Sequence, residues 1–191
     1  MLTPADFGAR PGDVAHVRSS TLFAWAIRRA LHETWGNHDG IVVYRDERWG
    51  VAEALPTGYV VTPWGEYMRS ITKGRVGVAF LRPVGCPEHI SHVVMMNALE
   101  LADAKVRYDW RAIAEIWAQT VLKASIPWQR EWAWYCTEAV RACYCSAGTE
   151  WDVWRKELPT PYTTEKRHQE GALALVGGIY DGLHYTGSDR T

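Results

Sequence analysis

Apolar and polar residues alternate with a period of two from Gly12 to Arg18 (GDVAHVR), the pattern of a half-buried strand. Ser19 or Ser20 can then cap a helix that carries Leu22, Trp25, Ala26 and Arg29. From His38 the chain reads as successive strands: DGIVVYR, a turn at Asp46-Glu47, WGVAEAL, a turn at Pro56-Thr57-Gly58, then YVVTP. This predicts an antiparallel meander. Trp64 to Ile71 (WGEYMRSI) suits a short helix, and Arg75 to Arg82 (RVGVAFLR) returns to period two before Pro83 and Gly85 end it. Pro87 fits a first helical turn, and His89 to Ala104 carries Ile90, Val93, Val94, Leu101 and Ala102 at helical spacing. Another helix is expected from Asp109. Trp134 to Ala147 (WYCTEAVRACYCSA) sets Ala139, Val140, Cys143 and Ala147 on one stripe and stops at Gly148, so Cys136 falls in its first turn. Beyond Gly148 the pattern is irregular, and the last stretch, GALALVGGIYDGLHYTGSDRT, is glycine-rich with scattered apolar residues. The expected architecture is α+β, an antiparallel sheet packed with helices. Residues 1–170 are expected as one domain and 171–191 as a C-terminal extension that docks on a partner or frays.

Composition narrows the function classes. The 191 residues carry 21 Lys+Arg against 22 Asp+Glu, with no basic run, which leaves no electrostatic basis for binding nucleic acid or an anionic membrane surface. Apolar stretches are broken by charge well short of the ~20 residues a transmembrane helix needs. The start, MLTPADFGARPGDV, has acid and glycine where a secretory signal places a basic segment and an apolar run, so a cytoplasmic origin is expected. The four cysteines, Cys86, Cys136, Cys143 and Cys145, read as free thiols. Cys143 and Cys145 lack a second pair at zinc spacing. His89 and His92, one helical turn apart without an HExxH pattern, read as a solvated helix face. No metal and no cofactor are expected.

Three residues carry candidate chemistry. A thiol at the start of a helix faces unpaired backbone N–H groups and the positive end of the dipole, which favour thiolate and can also stabilise an oxyanion. Cys136 has that placement, although a lone cysteine in an apolar helix is far more often a core residue. His38 opens a strand directly after Gly36-Asn37, at an edge where an imidazole can point into a cleft. Glu53 interrupts the apolar strand V-A-E-A-L on the neighbouring strand, either as a solvent-facing residue or as the carboxylate that orients the imidazole.

The order GDV, NHDGIVV, VAEALPTGYVVTPWGEYMR, VAFLRP, YDW, WYCTEAV and LPTP resembles the circularly permuted NlpC-type papain-like cysteine hydrolases, in particular the YiiX/YebB-like branch, over about residues 11–165. The resemblance implies a permuted papain-like fold with the histidine and acidic strands first and the cysteine helix later. It makes Cys136 the nucleophile, His38 the general base and Glu53 the orienting residue, with Gly12-Asp13 a structural feature of the first strand. Two positions depart from the pattern. Asp39 stands where a small or apolar residue is commoner, and Thr137 replaces the commoner serine of the CSE motif. Asp39 beside the base is expected to raise its pKa.

The function expected from this resemblance is a cysteine hydrolase that cleaves an amide of the peptidoglycan stem peptide. The alternatives are a lipid acyl ester or amide hydrolase or acyltransferase, as in the related lecithin:retinol acyltransferase group, and a non-catalytic assembly module in a phage tail. Five tryptophans between Trp128 and Trp154 suit flat contacts with sugar or acyl chain, and suit core packing or a protein interface equally. A cell-wall substrate without an export signal points to a bacteriophage tail-associated or lysis protein, virion-associated and in contact with other phage structural proteins.

Overall fold

The structure is a computed structural model and describes residues 1–21, 35–109, 133–154, 157, 159–180 and 183–186. The helices expected after Ser20 and from Asp109 onward lie outside the described residues.

Strand β1 (Val14–Ser19) lies at the centre of a seven-stranded sheet. On one side it pairs with β2 (His38–Arg45), which continues into β3 (Arg48–Leu55) and β4 (Gly58–Pro63) as the predicted meander. The β2–β3 turn is the two-residue loop Asp46-Glu47, and both residues hold positive φ, the geometry whose twist matches a tight hairpin. Helix α1 (Trp64–Thr72) then leads to β5 (Val76–Pro83), which pairs with the other side of β1. Helix α2 (Glu88–Asp103) follows, and a parallel two-strand pair, β6 (Arg107–Tyr108) with β7 (Ala133–Trp134), brings residues 107–108 beside the entry to α3 (Cys136–Ala147). Helix α4 (Pro161–Gln169), β8 (Leu173–Tyr180) and β9 (Leu183–Thr186) complete the chain, and every pairing in the large sheet is antiparallel.

The sheet is buried on both faces. On one, Val14, Ile41, Val43, Ala52, Ala54 and Leu81 pack against Val94, Ala98 and Leu99 of α2 and Ala139, Val140 and Cys143 of α3. On the other, Ala15, Val17, Val42, Val51, Val78 and Phe80 meet Trp64, Tyr67 and Ile71 of α1 and Phe7 of the N-terminal 3-10 turn. The half-buried pattern predicted for β1 is therefore corrected. His16, on the expected polar face, is buried, and so is Asp13, which precedes the strand. At Gly12 a Cβ would stand 2.0 Å from the Ser91 carbonyl oxygen, so the glycine of the Gly-Asp pair lets α2 approach the start of β1.

Two elements were invisible to the hydrophobic pattern. α4 (PYTTEKRHQ) has no apolar stripe and is set by its first turn: Pro161 follows the N-cap Thr160, which exchanges hydrogen bonds with Thr163. β8 is the glycine-rich segment expected as an extension. At Gly178 a Cβ would stand 2.4 Å from the Val78 carbonyl oxygen, so this glycine permits close pairing with β5 while weakening the strand signal. Residues 173–180 belong to the central sheet, and a boundary at residue 170 does not separate them from it.

Candidate active site

The sheet edge where β2 begins, the start of α3 and the middle of β3 converge on one point. His38 is the first residue of β2 and keeps 17% of its side chain exposed. Glu53 lies on β3 in the register that pairs with Gly40, so the carboxylate and the imidazole share the α1 face of the sheet; their Nε2 and Oε2 are 2.6 Å apart. Glu53 is 4% exposed, so its solvent-facing reading is excluded. Cys136 is the first residue of α3, and its sulfur lies close enough to the His38 ring for its charge to act on the imidazole. With Nε2 engaged by Glu53, Nδ1 is the nitrogen left for the thiol. The structure thus brings Cys136, His38 and Glu53 together in a line from sulfur to imidazole to carboxylate.

The electrostatics of this line are cooperative. Burial by itself disfavours a charged imidazole. The charge of Cys136, followed by the hydrogen bond and charge of Glu53, outweighs it and holds His38 well above the usual histidine range. Burial works against ionisation of Glu53 as well, but His38, then Thr62 and Tyr67, hold its carboxyl below the ordinary value. Tyr67 of α1 donates its O–H to the same Oε2 at 2.7 Å, and burial beside Glu53 keeps the phenol protonated. Tyr67 and Thr62 had no signal in the sequence, because the helix and strand that carry them meet Glu53 only after the meander has folded. Tyr67→Phe is expected to lower stability by about 1.5 kcal/mol, the value of a hydrogen bond to a charged group, measured by urea unfolding. An unchanged midpoint would show that the bond contributes nothing.

At the start of α3 the N-cap Tyr135 makes no side-chain cap. Glu138, three residues on, places a carboxylate in that first turn, near the Tyr135 backbone. Burial, reinforced by Asp109, pushes it up to about 7. Tyr108 stands near enough to feel the charges of Cys136 and Asp109, which, after burial, raise its phenol. The other thiols differ. Cys86 and Cys143 are buried, and burial pushes Cys143 up to about 12; Cys145 is raised by burial and by Asp152.

Asp39 does not act on the base as expected. Adjacent strand residues point to opposite faces, and the Asp39 carboxylate lies on the α3 side, bonded to His16 Nδ1 (2.6 Å), Thr137 Oγ1 (2.6 Å) and Thr164 Oγ1 (2.9 Å). The two positions that depart from the resembled pattern, Asp39 and Thr137, are in direct contact. Of the tryptophans proposed for flat ligand contacts, Trp154 is wholly buried in the core, tilted against Tyr144 and bonded to Thr164; Trp151 packs against that core. Trp128 and Trp132 lie outside the described residues. His89 and His92 are exposed on α2.

In overall structure the chain is similar to the metalloprotein yiiX of Escherichia coli O157:H7, DUF1105, with a TM-score of 0.55 and 20% identity over 84% of this chain and 81% of that one. No protein-family model and no curated protein matches the chain by sequence. The fold is YiiX-like, α+β with an antiparallel sheet between helices. That neighbour is described as a metalloprotein. Among the described residues no group of three or more His, Cys, Asp or Glu is placed to hold a metal ion, and the polar partners of His38 are Glu53 and Cys136. Among the described residues the donor set does not fit a resident metal. Among the described residues no helix is long and apolar enough to cross a membrane.

Proposed function

We propose that the chain is a cysteine hydrolase on a permuted papain-like, NlpC-type scaffold, acting on an amide carbonyl of the class found in peptidoglycan stem peptides. One observation carries the reading: a thiol at the first position of a helix, beside an imidazole whose Nε2 lies 2.6 Å from a buried carboxylate. The Cys136 thiolate attacks the carbonyl carbon, and first-turn N–H groups of α3 stand where the developing oxyanion is stabilised. Protonated His38 gives its proton to the departing amine, leaving a thioester on Cys136. Neutral His38 then takes a proton from water, hydroxide adds to the thioester, and the acid leaves with the thiolate and the imidazolium restored. Glu53 holds the imidazole and balances its charge in both halves.

The test is iodoacetamide alkylation of the native chain from pH 5 to 9 with peptide mapping. Cys136 is expected to react selectively over Cys86, Cys143 and Cys145, and His38→Ala to slow it on the order of a hundredfold. Selective reaction justifies a screen of peptidoglycan fragments and acyl lipids, with products read by mass spectrometry. Uniformly slow labelling, indifferent to His38, overturns the reading in favour of a non-catalytic interaction module.

A further inference from the structure

We propose that Asp39 is a positioning residue for Cys136: through Thr137 it anchors the first turn of α3 to β2, so that the strand presenting His38 also determines where the thiol stands. The inference rests on the reading of Cys136 as nucleophile. Its basis is a double grip between two dipeptides. On β2, His38 points to one face and Asp39 to the other; on α3, Cys136 meets the first and Thr137 the second. The hydroxyl of Thr137 donates to Asp39 Oδ2 at 2.6 Å, and the adjoining Cα atoms of residues 136 and 137 are ~3.8 Å apart, so any slide of the helix start moves both contacts together. A lone thiol–imidazole contact would not hold that register, because α3 lacks a side-chain N-cap.

The anchor is itself fixed from three sides. Asp39, Thr137 and Thr164 are all fully buried, and the carboxylate accepts from β1 through His16 Nδ1–H, from α3 through Thr137 and from α4 through Thr164. Burial disfavours the charge on Asp39, but His16 first and then the two hydroxyls hold the carboxyl below its ordinary range, so it is an acceptor at neutral pH. The other nitrogen of His16, Nε2, is buried with no hydrogen-bond partner among the described residues, and a Cβ on Gly36 would stand 2.2 Å from it. Gly36 therefore lies against the His16 ring two residues before His38. The network that ties down Thr137 also seats the backbone entering β2.

The experiment compares the full chain with Thr137→Val and Thr137→Ser, reading the His38 midpoint by NMR of 15N-labelled histidine and the Cys136 alkylation rate, with circular dichroism reporting the fold. The groups facing His38 are Cys136 and Glu53, with Tyr67 behind the latter. Thr137→Val keeps shape but removes the donor. It is expected to bring the His38 midpoint down by at least about half a unit and to slow alkylation about tenfold, whereas Thr137→Ser retains most of the wild-type rate. A folded Thr137→Val chain with both quantities unchanged overturns the proposal, and Thr137→Ala is read in the same way if the valine variant does not fold. If wild-type Cys136 reacts no faster than Cys86, the hydrolase reading fails on its own, and the midpoint comparison still decides the anchoring.

Discussion

Glu53→Gln is expected to slow alkylation of Cys136 at pH 7 by at least about tenfold while leaving the fold intact. Glutamine can present a carbonyl oxygen to the His38 Nε2–H and the Tyr67 O–H, which both meet the same carboxylate oxygen, so the geometry survives and the charge is lost. Without that charge the imidazolium is less favoured, and the His38 midpoint falls toward the ordinary imidazole value. Imidazolium beside the thiol then persists only to a lower pH, and the loss of alkylation rate is largest near neutral pH. Stability carries the same signature. His38 binds its proton more tightly in the folded chain than in the unfolded one, so its contribution is complete below about 6.5 and is lost as pH rises through the raised folded value. In the glutamine variant that loss is smaller and is complete at a lower pH. A Glu53→Gln protein with a wild-type rate and profile would remove Glu53 from the orienting role.

The largest stability effect is expected at the other end of the Gly-Asp pair. Asp13 is fully buried and is clasped by Arg82 through Nε and Nη2, each 2.7 Å from a carboxylate oxygen, with the Arg10 backbone N–H at 2.8 Å. Arg82→Met leaves a buried carboxylate without its cation and is expected to cost about 3 kcal/mol at pH 8, measured by urea unfolding. Burial already pushes the Asp13 carboxyl up in spite of Arg82. Its folded pKa in the variant therefore exceeds the unfolded one, the folded state gains by taking up a proton, and the deficit shrinks as pH falls toward 5. Adding Asp13→Asn should recover more than half of the loss at pH 8. An Arg82→Met chain as stable as wild type at both pH values would mean that water, not arginine, satisfies Asp13.

Residues 38–63 show how far local pattern reaches. Strand alternation, the Asp46-Glu47 turn and the Pro56-Thr57-Gly58 turn are all short-range properties, and the meander they predict is the one formed. Once β2 and β3 are neighbours, His38 and Glu53 follow from register alone, because a period of two leaves each side chain only two directions. The cysteine followed from a helix stripe that stops at Gly148. By contrast, α4 and β8 were missed where the pattern is weakest: one helix is polar all round and held by its cap, and one strand has glycines where a chain neighbour comes close. Asp39 marks the opposite limit: it adjoins His38 in sequence, but the pleat sends residues 38 and 39 to opposite faces.

What the chain alone determines here is therefore the set of local elements and the chemical character of Cys136, His38 and Glu53. Backbone propensity and side-chain period act over a few residues, so these properties are set before any tertiary contact forms. The contact between α3 and the start of β2, the donors that Tyr67 and Thr62 bring to Glu53, and the burial of His16 with Asp39 arise only when segments 9 to 125 positions apart pack on the two faces of one sheet. Packing and desolvation are properties of that assembled neighbourhood, and they, more than residue type, make one histidine a partner of the thiol and the other a buried support behind it.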